Sequence, residues 1–247
     1  MTVRYWQNLS YGNEDYEIYD IFHPCTEGTL PLLIFLHGGS YVDGWKDDPN
    51  ILQLCNWFAL HGVVVANMEY YTLGHYPADW AERWSYLDDV HLEARKIWRS
   101  FIRFAGAARV DPERIFVGGC SGGAMISLHS CYSDIADPGG YQSCLLKPQI
   151  AGMIDLWGIL SASDHYIISD EGINFFRPKD PPVCIVHGTA DASIPYAGAV
   201  EINRQAQAAG VYSELHPLEG AIHGPFGLKD TWGPYVVDFM EKVAPAR

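Results

Sequence analysis

Residues 115–124 read IFVGGCSGGA, an apolar β-type run that breaks into Gly119-Cys120-Ser121-Gly122-Gly123 and continues at helical spacing. A serine on a sharp strand-to-helix turn sits in strained backbone geometry, so the residues two before and two after it must be small. Gly119 and Gly123 meet that demand, and the pattern marks Ser121 as a nucleophile. A serine hydroxyl attacks poorly at neutral pH. It needs a histidine base, a carboxylate to orient that base, and donors for the oxyanion that develops on the substrate.

Three further segments carry residues of those types. Residues 32–41 read LLIFLHGGSY, a buried-type strand ending in His37-Gly38-Gly39, where side-chain-free residues leave their amides unobstructed as an oxyanion loop. Residues 183–195 read VCIVHGTADASIP, an apolar strand whose exit loop carries Asp191, at the strand end where open α/β sheets place their sites. Residues 215–226 read LHPLEGAIHGPF, a short strand and then a loop with His223. Asp164, Asp170 and Glu219 compete with Asp191, but none follows a strongly apolar strand, and His216 competes with His223 but lies inside the strand. His37 and His187 each precede a glycine at a strand end and are read as braces for their loops rather than as reacting groups.

The order Ser121, Asp191, His223, each in its own strand-exit loop, resembles the α/β-hydrolase superfamily over nearly the whole chain. Within it the chain is similar to small carboxylesterases with an HGG loop, the hormone-sensitive-lipase-like and feruloyl or acetylxylan esterase-like branches. The resemblance implies Ser121 as nucleophile, His223 as base, Asp191 as its orienter, and the amides of Gly38, Gly39 and Gly122 as the oxyanion hole. It implies hydrolysis of short-chain acyl or aromatic esters through an acyl-enzyme, with a small molecule or a polysaccharide-linked ester as substrate. An arylformamidase or small peptidase uses the same three groups, and a non-catalytic binding protein can share the fold.

The elements that must position these residues follow from the hydrophobic pattern. Residues 3–9 and 16–22 read as an opening antiparallel pair, and residues 32–36 and 63–68 as continuous apolar strands of the kind covered by helices on both faces. Helices are expected over residues 50–60, 81–104, after Ser121, 196–209 and 232–243, with further strands at 115–117, 150–156 and 213–217. Strands alternating with helices predict a mostly parallel, doubly wound α/β sheet, the α/β-hydrolase fold, in one catalytic domain spanning residues 1–247. The first strand begins near the start of the chain, so no large cap domain is expected. Segments 133–148 and 161–182 are left to shape the mouth. Tyr41, Trp45, Trp157, Phe175 and Phe176 are candidates for the substrate pocket.

A net charge of −14 has the wrong sign for neutralising phosphates, which argues against a nucleic-acid partner. No apolar run approaches the roughly twenty residues of a membrane span. No His-x-x-x-His or comparable spacing suggests a metal, and the chemistry requires no cofactor. The six cysteines form no CxxC pair and read as small buried residues, so a cytoplasmic protein is expected, with a secreted form the alternative because their even count also permits disulfides.

Overall fold

Leu30–Leu36 supplies the centre of the molecule, and every one of its side chains is buried. Leu32, Ile34 and Leu36 face one apolar layer while Leu33 and Phe35 face another, so the period-2 geometry of a strand divides one unbroken apolar run between two helical faces. The computed structural model describes residues 1–40, 42–76, 78, 82, 85, 86, 89, 90, 97, 109–132, 150–160 and 176–246.

Among them run β1 (Val3–Ser10), β2 (Ile18–Pro24), β3 (Leu30–Leu36), α1 (Pro49–Leu60), β4 (Val64–Met68), β5 (Val110–Cys120), α2 (Gly122–Tyr132), β6 (Gly152–Leu156), β7 (Val183–Gly188), α3 (Tyr196–Ala208), β8 (Ser213–Leu218) and α4 (Lys229–Val243). They build one eight-stranded sheet in the order β1-β2-β4-β3-β5-β6-β7-β8. Strands β1 and β2 pair antiparallel, β2 joins β4 antiparallel, and all the remaining pairs are parallel. This is the α/β-hydrolase fold. Among the described residues no helical cap covers the carboxyl ends of the strands.

Helices α1 and α4 close one face, where Leu54, Phe58, Trp232 and Phe239 pack on Leu33, Phe35 and Phe116. Asp48 starts α1 by accepting from the amides of Asn50 at 2.8 Å and Ile51 at 3.4 Å, and Pro49 occupies the first turn, where its missing N–H is harmless. The strand order reverses at β3, with β4 on one side and β5 on the other. The loops leaving β3 and β5 therefore diverge and open a crevice at their carboxyl ends, the place where sheets of this class bind ligands. Both the HGG loop and Ser121 flank it.

The largest shifts from the expected boundaries are in β5 and α4. β5 extends well beyond residues 115–117, through Asp111 and Pro112, because a register irregularity between Leu30 and Leu32 lets Val110 pair with Leu30 while accommodating the proline. α4 begins at Lys229 rather than at residue 232. Of the helix expected over residues 81–104, six residues are described (Glu82, Ser85, Tyr86, Asp89, Val90 and Ile97) and all are helical. The mouth segment at 133–148 lies outside the described residues, as does 161–175 of the other.

Candidate active site

The turn between β5 and α2 puts Ser121 at φ 51°, a left-handed conformation that a non-glycine residue rarely adopts. The turn is tight because the chain passes directly over the end of β3. A Cβ added at Gly119 would lie 2.5 Å from the Leu36 carbonyl oxygen, and one at Gly123 only 2.2 Å from it. The Ser121 amide donates to the Leu156 carbonyl at 2.9 Å, tying the turn to the end of β6. Strain at Ser121 is thus held in place by contacts on both sides, and its hydroxyl faces the crevice.

Asp191, the carboxylate after β7, has a fully buried side chain. Its Oδ1 accepts from the amides of Ser193 at 2.8 Å and Ile194 at 2.9 Å, and its Oδ2 accepts from His223 Nδ1 at 2.7 Å. An ionised carboxylate only accepts, so the hydrogen of the neutral imidazole sits on Nδ1 and Nε2 presents a lone pair. The Ser121 hydroxyl lies 2.9 Å from that nitrogen and donates to it. Residues separated by as many as 102 positions in sequence thus form one hydrogen-bonded line, Asp191 to His223 to Ser121. The arrangement can draw a proton from the hydroxyl as its oxygen attacks, and can stabilise the imidazolium that results.

Opposite the histidine lies the HGG loop. Gly39 has φ 132°, and a Cβ there would fall 1.8 Å from the Asp43 carbonyl oxygen, so only glycine permits this fold-back. A Cβ added at Gly38 would sit 3.2 Å from Ser121 Cβ, which brings the loop against Ser121. The same added Cβ would lie 3.6 Å from the Cys120 sulfur. Gly122 opens α2, where the first amides of a helix lack intrahelical partners and the helix dipole favours negative charge.

Neighbouring ionisable groups do not compete. Burial pushes the Cys120 thiol up to about 12, keeping it a neutral thiol beside Ser121. Burial also lowers the pKa of His187, which donates through Nε2 to the Ile194 carbonyl at 2.9 Å and so braces the Asp191 loop as a neutral ring. His37 braces its own loop through Nδ1, 2.7 Å from the Gly38 carbonyl oxygen.

Ser121 and His223 open into a cavity of about 260 Å³ whose walls include Trp45, Ile51, Trp157 and Phe226. Trp45 stands 55 % exposed at the rim. Trp157 is fully buried, in edge contact with Phe226 at 5.1 Å, and adopts φ 48° in a turn where Asp155 accepts from the Gly158 amide at 2.8 Å. Burial pushes the Asp155 carboxyl up to about 7.

The chain matches the phospholipase/carboxylesterase family over residues 26–226, a span that contains all of these groups. The chain belongs to that family. The family is one of the α/β-hydrolase superfamily. Among curated proteins it is 24% identical over 261 aligned positions to a probable isoprenylcysteine alpha-carbonyl methylesterase of Arabidopsis thaliana, covering 91% of this chain and 58% of that protein. A rice counterpart is 23% identical with the same coverage of each. The chain therefore spans less than two thirds of the length of these relatives. Among solved structures, an esterase of Thermogutta terrifontis superposes with a TM-score of 0.72 at 20% identity, covering 97% of this chain and 92% of that one. A truncated carbohydrate esterase from gut microbiota gives 0.75 at 16% identity, with 98% and 97% covered. At such identities the superpositions speak for the fold.

Of the pocket residues read from the sequence of this carboxylesterase-family chain, Trp45 and Trp157 line the cavity. Phe176 does not. It is 3 % exposed and packs on Tyr132 with ring centroids 4.4 Å apart, in the apolar layer beneath α2 and α3. An aromatic side chain just before β7 is drawn into the core because that burial is worth more than a place at the rim. Tyr41 and Phe175 lie outside the described residues. Phe226 escaped the sequence reading although it follows His223 by three positions. Its place in the LHPLEGAIHGPF segment was the available signal.

Proposed function

We propose that this protein is a serine carboxylesterase in which Ser121 attacks the ester carbonyl, His223 takes the hydroxyl proton, and ionised Asp191 holds the imidazole in register. The observation that carries this reading is the unbroken line of hydrogen bonds from Asp191 Oδ2 to His223 at 2.7 Å and from His223 to Ser121 Oγ at 2.9 Å. The carbonyl oxygen becomes an oxyanion when the Ser121–carbon bond forms, and the amides of Gly39 and Gly122 receive it. Gly38 shapes the loop. Collapse of the tetrahedral intermediate breaks the bond to the alcohol oxygen, which leaves with the proton held on His223 Nε2. Water then attacks the acyl-enzyme, gives its proton to the same nitrogen, and the acid departs as Ser121 recovers its hydrogen.

Short acyl or small aromatic acids suit this site. A cavity of about 260 Å³ walled by Trp157, Phe226 and Ile51 accommodates such groups, while a rim carrying exposed Trp45 leaves the alcohol side open to a larger leaving group, including a sugar-linked one. The curated relatives are named for a methyl ester, one solved neighbour carries butyrate, and another is a carbohydrate esterase. A methyl ester and a butyrate are each compact on one side of the ester.

A series of 4-nitrophenyl esters from acetyl to dodecanoyl, with methyl ferulate, acetylated xylan and a formyl anilide beside it, tests the assignment. The expected result is a maximum in kcat/KM at the shortest acyl chains, loss of all turnover in Ser121→Ala, and slower cleavage of the anilide. A preference for acyl chains of about ten carbons or more contradicts it. Each buried CH2 contributes roughly 0.8 kcal/mol only where an apolar pocket receives it.

A further inference from the structure

The HGG loop must hold one peptide plane still. A peptide unit is planar, with its C=O and N–H pointing in opposite directions, so whatever fixes the Gly38 carbonyl also aims the Gly39 amide. The Gly38 oxygen accepts from His37 Nδ1 at 2.7 Å, and its outer side is closed by Gly44, where an added Cβ would approach to 2.2 Å. The imidazole that does this holding is 1 % exposed and stacked on Tyr70 at 4.1 Å and 14°. Its other nitrogen, Nε2, meets Glu69 Oε1 at 2.9 Å.

Glu69 is opposite His37 for a reason of register. Leu36 pairs with Met68 across the parallel β3 and β4, so the next residue of each strand leaves the sheet at the same level. Its carboxylate reaches further than His37. Oε2 accepts from the Lys46 amide at 3.0 Å, and Oε1 also accepts from the Tyr70 amide at 3.2 Å. The Tyr70 hydroxyl returns to donate to the His37 carbonyl at 2.7 Å, and the Tyr11 hydroxyl donates to the Glu69 carbonyl at 2.9 Å. One carboxylate therefore grips both ends of loop 37–46, the loop that folds over Ser121.

We infer that Glu69 is the positioning residue of the oxyanion hole: by clasping His37 and the Lys46 amide together it fixes the Gly38 carbonyl and so directs the Gly39 N–H at the substrate oxygen. The inference rests on the reading of Ser121 as nucleophile. Glu69 itself touches no reacting atom. Its effect belongs to the transition state, where the carbonyl oxygen becomes anionic, rather than to ground-state binding.

A matched pair of substrates separates this from ordinary structural support. In 4-nitrophenyl butyrate the developing charge falls on oxygen, whereas in 4-nitrophenyl thionobutyrate it falls on sulfur, a weak hydrogen-bond acceptor that gains little from a well-aimed amide. Glu69→Gln is expected to lower kcat for the oxygen ester about tenfold or more, with KM within about threefold, since removing one oxyanion donor outright costs about 10²–10³. The oxygen-to-sulfur ratio of kcat/KM is expected to fall about fivefold or more, in proportion to the lost aim. Glu69→Asp keeps the charge but lacks the length to grip both ends, so its ratio should fall between the two. It carries the comparison alone if the glutamine variant does not fold. A folded variant with reduced kcat and the wild-type ratio overturns the inference while leaving the esterase reading intact. A wild-type protein that turns over neither ester overturns the esterase reading, and this one with it.

Discussion

The two flanks of Ser121 are built by different means. On the histidine side the loops leaving β7 and β8 are laced by the main chain: the Thr189 amide donates to Leu218 and the Ala190 amide to Ala221, each at 3.0 Å, and the Gly220 amide donates to Thr189 Oγ1 at 2.8 Å. Gly188 permits this closeness, since a Cβ there would fall 2.3 Å from the Ala221 oxygen. On the oxyanion side the work falls to buried charges drawn from distant segments. Lys46, 1 % exposed, pairs with Asp20 at 3.0 Å and Asp47 at 2.8 Å. Asp20 also accepts from the Tyr5 hydroxyl at 2.7 Å and the Asn8 amide at 2.9 Å, and Asn67 donates to the Lys46 carbonyl at 2.9 Å. Backbone lacing is local, while a buried ion network depends on each member.

That contrast predicts opposite responses to isosteric changes. On the histidine side, Asp191→Asn keeps the acceptor for the Ser193 and Ile194 amides but turns a donor toward His223 Nδ1, which reverses the tautomer. Expected is a loss in kcat of about 10⁴, with the urea midpoint of unfolding nearly unchanged, measured by stopped assays and equilibrium denaturation on the same sample. A variant that instead unfolds would mean the laced loops are less self-sufficient than their hydrogen bonds imply.

The oxyanion side should behave the other way. Lys46→Met preserves the backbone amide that Glu69 holds but strands Asp20 without its cation. Breaking one partner of a buried pair costs about 3–5 kcal/mol, so a marked fall in urea midpoint is expected, with a much smaller fall in kcat than Asp191→Asn produces. Burial alone lowers the pKa of the Lys46 ammonium, yet its hydrogen bonds to Asp47 and Asp20 outweigh that and raise it, so the pair stays charged and the loss is that of an ion pair. Equal stability of the variant and wild type would show that the network is dispensable.

The same contrast explains what the sequence displayed and what it hid. Glycines at Gly119, Gly123 and Gly39 mark close backbone approaches, and continuous apolar runs mark parallel strands, so the sheet, the elbow and the three strand-exit loops were all legible in order. Local chemistry writes local signals. Lys46 sits within a Trp-Lys-Asp-Asp run that reads as solvated surface, and nothing near it reveals that its partner is Asp20, on the second strand of the sheet. Glu69 sits in a Met-Glu-Tyr-Tyr run with no chemical signature of its own, and its place opposite His37 follows from a strand register that no single stretch of residues encodes. Phe176 was misread for the same reason, because whether an aromatic residue beside a strand end faces a rim or a core is decided by α2 and α3 above it. Pro112 hid the length of β5, since a proline in a strand is tolerated only where the ladder is already interrupted.

A phosphonylating probe asks the central question most simply, because it reacts only with a serine whose proton has somewhere to go. Incubation of the folded protein with a fluorophosphonate, followed by peptide mapping in a mass spectrometer, should give one adduct per chain, on the peptide bearing Ser121. No adduct at all, or one at another serine with Ser121 untouched, would contradict the account.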